Sequence, residues 1–377
     1  MSARGRLTIA GALAQKPGQA GHAWQFLQYM LGFGRLGWDV LFVDALHDWT
    51  DSDQRVGWLR SVMAEHGLEN AWSVVLPDGS HAGRTRPGVL RHVRDSDFLL
   101  NVMGYLADSE LLAAADRRVF LDTDPGFGQM WRDLGLADIF AGHDDHVTIA
   151  ERIGARDCTI PDCGLRWITT PQPVVLSWWP VLPLRPGACF TTVGRWRGAY
   201  DPIDHAGRRY GLRAHQFRKF AELPSRCEAG FTMALDIHSA ESADLALLDR
   251  NRWTLTDPAR IAGTPRAYRS FIEHSAAEFM VAKGMYVQSR SGWFSERSIC
   301  YLATGRPVLA QDTGLGGLYP LGDGLLAFET LEQAVAGVEA ISADPAGQSR
   351  AARALAEERF DSDKVLGRLL DELGGGR

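Results

Sequence analysis

A chain of 377 residues exceeds what one ordinary hydrophobic core supports, so two domains are expected. Hydrophobic residues make up 45% and charged residues 23%, which excludes a disordered chain. A net charge of −6 with a pI near 6.0 gives no general attraction to nucleic acid or to an acidic membrane surface.

No apolar run is long enough for a membrane span, and residues 1–6 lead into only a short apolar stretch, without the pattern of a signal peptide. The five cysteines are odd in number, loosely spaced and without a CxxC pair, as expected of reduced thiols in a cytoplasmic protein.

In chain order, residues 7–10 form an apolar run and 11–21 a loop of small residues. Trp24, Leu27 and Leu31 then recur at helical spacing, with Phe26, Met30 and Phe33 widening the face. Gly37 suits the end of that helix, and the apolar run 40–43 reads as a strand covered on both faces. This is a β-α-β unit and implies a parallel sheet. Runs at 72–76, 98–102 and 119–121 continue the pattern, so the first half reads as doubly wound, with ligands at the carboxyl ends of its strands. The cluster His143-Asp144-Asp145-His146 reads as a solvated loop, because adjacent side chains do not converge on one metal ion.

Pro171, Pro173, Pro180, Pro183 and Pro186 mark a change of composition. Proline favours extended backbone, which places a linker near 178–188, with a further strand over 174–180 just before it. A second α/β pattern follows, with strands expected at 190–193, 231–234, 253–255, 279–282, 308–310 and 325–328. Helices are expected at 214–223 and 296–304, then at 331–342, 349–359 and 364–373, with 374–377 a frayed tail. The domains are thus 1–180 and 181–355, with 356–377 a C-terminal helix that packs back on the first domain.

The segment 283–328 carries the most chemistry. Gly292-Trp293-Phe294 is a loop, Ser295 is placed to cap the next helix, Gly305 ends that helix, and Pro307 leads into a strand. A glycine turn before a helix start exposes backbone N–H groups and the positive end of the helix dipole, a natural seat for a diphosphate. Arg290 and Arg297 add charge for bidentate phosphate contact.

The run Ala303-Thr304-Gly305-Arg306-Pro307-Val308 resembles the A-x-G-x-P-V signature at the donor site of GT-B glycosyltransferases. The stretch Phe190 to Gly194-Arg195-Trp196 resembles the family's first strand and glycine turn in the C-terminal domain. Gly21-His22 with Gly37-Trp38-Asp39-Val40 resembles the opening of antibiotic and secondary-metabolite glycosyltransferases. The resemblance implies two Rossmann-like domains facing a cleft. A nucleoside-diphosphate sugar would lie on the C-terminal domain and a small-molecule acceptor, such as a secondary metabolite, on the other. It implies no cofactor, no metal and no nucleic-acid partner, in a monomer or homodimer.

The donor contacts it implies are Gly194, Arg195, Arg213, Lys283, Arg290, Gly292, Trp293, Phe294, Ser295, Glu296, Arg297, Ser298, Asp312 and Thr313. His22 is the candidate base, oriented by Asp124 or Asp122, which would stabilise its charged form. Many retaining members carry two glutamates eight residues apart, where this chain has Gly292 and Cys300; Glu296, one turn earlier, is the candidate substitute. Retaining and inverting chemistry both stay open. A GT-B-fold epimerase and a non-catalytic nucleotide-sugar-binding protein are the alternatives. A dehydrogenase is excluded, because Gly11 is followed by Ala12 and Leu13 rather than by the dinucleotide fingerprint.

Overall fold

Two mainly parallel sheets organise the chain. The computed structural model describes residues 4–198 and 200–374, so most of the expected tail lies outside the described residues. The first sheet holds β1 (Gly5–Ala10), β2 (Trp38–Ala45), β3 (Trp72–Val75), β4 (His81–Gly83), β5 (Phe98–Val102), β6 (Arg118–Asp122), β7 (Asp145–Thr148) and β8 (Trp167–Thr169). Its order is β4-β3-β2-β1-β5-β6-β7-β8, parallel except for the β3–β4 pair. Strand order reverses between β1 and β5, and crevices at such switch points are where open α/β sheets take ligands.

In the second half, β9 (Phe190–Arg195) is followed by a small antiparallel hairpin, β10 (Ile203–His205) and β11 (Arg208–Tyr210). Then come β12 (Phe231–Asp236), β13 (Thr254–Thr256), β14 (Ala277–Met280), β15 (Val308–Gln311) and β16 (Leu325–Phe328). The sheet order is β13-β12-β9-β14-β15-β16, all parallel, with its own reversal between β9 and β14. The inner strands of each sheet are buried on both faces, which is why they read as continuous apolar runs. Phe279 and Phe328 stack at 5.1 Å in the second core.

Three local expectations change. The strand expected over 174–180 is a single bridge at Val174 followed by a short 3₁₀ turn, Leu176–Trp178; the prolines leave no run of donors for a ladder. The helix expected over 214–223 is broken into Arg213–Phe217, a 3₁₀ turn Arg218–Phe220 and Leu223–Arg226, with Pro224 in the last. The His143–His146 cluster is not a solvated loop. Asp145 opens β7, His146 is buried against Phe140 and Trp167, and the His143 ring meets Asn101 at 3.1 Å.

The chain's end crosses back to the first half. Val174 N donates to Phe360 O at 2.7 Å and Ser362 N to Val174 O at 2.9 Å. The helix Ser362–Gly374 then lies on the helix Ala20–Arg35, fastened by Arg35–Asp363 at 2.8 Å. No helix among the described residues is long and apolar enough to cross a membrane.

Candidate functional site: a cationic cleft between the two sheets

The loops after β1, β6, β9, β12 and β14 converge on a cleft of about 640 Å³. On its first-half side, residues 11–19 run from β1 into the helix Ala20–Arg35. Buried Asp44, near the end of β2, shapes this loop by accepting from Ala14 N at 2.5 Å and Gln15 Nε2 at 2.9 Å. Burial pushes the Asp44 carboxyl up to about 6, against those hydrogen bonds. No side chain caps the helix, so its first turn meets the cleft with unshielded backbone N–H groups.

His22 stands on that turn, and its Nε2 is buried without a partner among the described residues. Its ring meets Phe26 edge-on at 5.0 Å and Tyr105 at 6.2 Å. Burial first, then the positive charges of Lys16 and Arg195, push it down to about 3. The imidazole is therefore neutral at physiological pH, and the expected stabilisation of its charged form by an aspartate is absent.

The two aspartates face elsewhere. Asp122 is buried behind the cleft and accepts from Gln129 Nε2 at 2.6 Å and Thr148 Oγ1 at 3.0 Å. Burial outweighs these bonds and raises it to about 7. Asp124 reaches toward the second half, where Lys283 Nζ meets its two carboxylate oxygens at 2.8 and 2.6 Å and the Tyr286 hydroxyl adds a third bond.

On the other wall, Gly194 and Arg195 end β9, and Arg213 projects over them from the next helix. Arg213 has no ion pair or hydrogen bond among the described residues, and its Nε is buried. Burial, followed by the neighbouring Arg297 charge, pushes it down to about 10. Arg195 pairs loosely with exposed Asp236 at 3.3 Å. The cleft thus gathers positive charge that its own acids only partly balance.

The turn over residues 292–295 divides its side chains between two sides. Gly292, at φ +73°, donates to Thr313 O at 2.8 Å, and a β-carbon there would meet Arg152 and Leu318 at 2.8 Å. Thr313 Oγ1 donates to Trp293 O at 2.7 Å. Gly292 and Thr313 therefore fasten the turn from behind rather than line the cleft. Trp293 does line it, stacked on Tyr286 at 4.1 Å. Phe294 turns away to Tyr319 and Phe360. Ser295 precedes the helix Glu296–Ala303 but makes no capping hydrogen bond; it lines the cleft instead.

Glu296 accepts from Cys300 Sγ at 2.9 Å, and burial raises it to about 7. Arg297 borders the cleft, yet Nε donates to fully buried Glu278 and Nη1 to Val193 O at 2.7 Å. Burial opposes its charge, but Glu278 overrides this and holds it protonated. Ser298 is buried with its hydroxyl unpartnered, and it does not line the cleft.

Arg290 and Asp312 lie outside the cleft. Arg290, left-handed at φ +50°, pairs with Asp157 at 3.0 Å and Asp312 at 3.7 Å. Asp312 accepts from Gly314 N at 2.9 Å and Leu315 N at 2.8 Å, which closes a tight turn.

Sequence reasoning missed Lys16, whose Nζ lies 2.5 Å from the Tyr105 hydroxyl and whose charge acts on His22. Its place in a small-residue loop after the first strand was the available signal. Gln25, Gln172, Asp257 and Tyr268 also line the cleft, and no motif marks them.

The chain matches no protein-family model and no curated protein sequence. Solved structures share its fold over the whole length. Sucrose-phosphate synthase from Thermosynechococcus elongatus aligns at TM-score 0.56 and 11% identity, covering 99% of this chain and 100% of that one. Anabaena HepE in complex with UDP-glucose aligns at 0.60 and 13%, covering 99% and 100%. AviGT4, a glycosyltransferase of avilamycin A biosynthesis, aligns at 0.58 and 13%, covering 97% and 96%. At these identities the likeness establishes the GT-B fold, two parallel sheets facing a cleft.

Proposed function

We propose that this chain is a glycosyltransferase that binds a nucleoside-diphosphate sugar on its second half and passes the sugar to a small-molecule acceptor on its first half. The observation that carries this reading is Arg213: a half-buried guanidinium with a buried Nε and no ion pair or hydrogen bond among the described residues, beside Arg195 and Lys283 in the interlobe cleft. A partly buried cation whose donors lack a direct partner is costly to leave so, and a diphosphate has the charge and acceptor oxygens to engage it. HepE, of the same fold, holds UDP-glucose.

Charge builds on the diphosphate as the sugar leaves, and fixed cations aimed at it lower the barrier. In this reading Arg213, Arg195 and Lys283 supply that charge, so transfer needs no metal ion. The open helix start at Gly21 and His22 holds the acceptor near the anomeric carbon, with His22 acting as a neutral hydrogen-bond partner. Five free cysteines agree with a reducing cytoplasmic setting.

The test is a thermal-shift screen with UDP, GDP, ADP, dTDP and their sugars. At least one diphosphate should raise the melting temperature, and Arg213→Met should abolish that rise. Product analysis then separates transfer from release of free sugar. A wild-type protein blind to every diphosphate would end the proposal.

A further inference from the structure

The pair Lys283–Asp124 joins residues 159 positions apart, one from each half of the chain. Asp124 follows β6 of the first sheet, and Lys283 follows β14 of the second, at the start of the helix Gly284–Ser289. Both side chains are largely shielded, with 19% of Lys283 and 24% of Asp124 exposed. The Tyr286 hydroxyl makes a third bond to the same carboxylate.

The cations around the cleft differ in how they are balanced. Arg297 is neutralised by Glu278, and Arg195 leans on an exposed aspartate. Arg213 has no partner among the described residues. Asp124 contributes to the field at Arg213, Lys16 and Tyr105 as well as pairing with Lys283. One carboxylate thus sits amid several cations, in the setting a bound diphosphate would occupy.

We infer that Asp124 is an internal stand-in for the donor's diphosphate: it holds Lys283 and yields that lysine when the diphosphate enters, so donor binding opens a bond between the two halves. This rests on the donor reading above. A diphosphate carries more charge and more acceptor oxygens than one carboxylate, and it engages Arg213 and Arg195 together with Lys283, so it wins the exchange. The competition weakens donor binding. Asp124 is then a positioning residue, acting through Lys283, and the partner change couples the donor site to the interlobe geometry.

The experiment is calorimetric titration of wild type and Asp124→Asn with UDP, GDP, ADP and dTDP, and with the matching nucleosides. Removing the competing charge should tighten the best diphosphate about two- to fivefold, the worth of an ion pair that keeps some exposure. The nucleoside, which lacks phosphates, should bind both proteins equally. Asp124→Ala, which likewise removes the charge, should tighten the diphosphate by a similar factor and covers the case in which Asp124→Asn does not fold. Diphosphate binding that is unchanged or weaker in folded variants overturns the inference and leaves the donor reading standing. Failure of all four diphosphates to bind wild type overturns the donor reading itself.

Discussion

The guanidinium of Arg213 occupies the space that any side chain at Gly194 would need: a β-carbon on Gly194 would stand 2.0 Å from Arg213 Nη1. Gly194 has no positive φ, so its requirement is steric and local to this contact. Gly194→Ala should displace Arg213 while leaving the fold and melting temperature close to wild type. One charged hydrogen bond is worth roughly 1.5–3 kcal/mol, so diphosphate affinity should fall roughly ten- to hundredfold. Unchanged affinity by calorimetry would show that Arg213 does not reach the phosphates.

Arg297 and Glu278 form a buried brace between the helix Glu296–Ala303 and β14. Removing one partner strands a charge in the interior, at a cost of about 3–5 kcal/mol. Glu278→Gln and Arg297→Met should each lower unfolding free energy by that amount in urea titrations. A variant with wild-type stability and impaired diphosphate binding would place Arg297 on the ligand instead.

Glu296 sets a pH dependence. Its folded value, about 7, lies above the unfolded value near 4.5. Below pH 4.5 both states are protonated and its contribution is fully present. As pH rises toward 7 the unfolded chain releases the proton first, and stability falls by an amount on the order of 3 kcal/mol. Glu296→Gln should remove that slope, so the wild-type-minus-variant stability difference should change between pH 4.5 and 7 and level off above. A difference independent of pH would show that Glu296 titrates normally.

His22, pushed down to about 3, should stay neutral between pH 5 and 8. Its ring-proton resonance, identified among the eleven histidines by its loss in His22→Gln, should not move over that range. A titration centred near 6.5 would restore a charged histidine and, with it, a base of ordinary strength.

The first and last helices meet closely at Gly32, where a β-carbon would lie 2.5 Å from Leu366 Cδ1. Gly32→Val should overpack this contact and cost about 1–3 kcal/mol, read as a lower denaturation midpoint. A neutral substitution would show that the last helix can shift on the first half without penalty.

The turn Gly292-Trp293-Phe294-Ser295 shows how far local pattern carries. Its position, the helix after it and the strand beyond Pro307 all follow from glycine, proline and apolar spacing. The direction of each side chain does not. Trp293 faces the cleft and Phe294 the core because Tyr286 offers a ring on one side and Phe360 on the other. Ser295, a good capping residue by type, leaves its hydroxyl to the cleft. Arg290 and Arg297 look equivalent as phosphate ligands, yet Asp157 takes one and Glu278 the other.

By itself the sequence determined that this protein has two parallel sheets with helices between their strands. Buried strands must be apolar and their connections must turn, and both signals are local. Tertiary structure alone decided which charges remain available in the cleft. Glu278 precedes Arg297 by 19 residues and Asp124 precedes Lys283 by 159, and spacing along the chain does not report either meeting. A charge is free or spent according to what folding brings within a few ångströms of it.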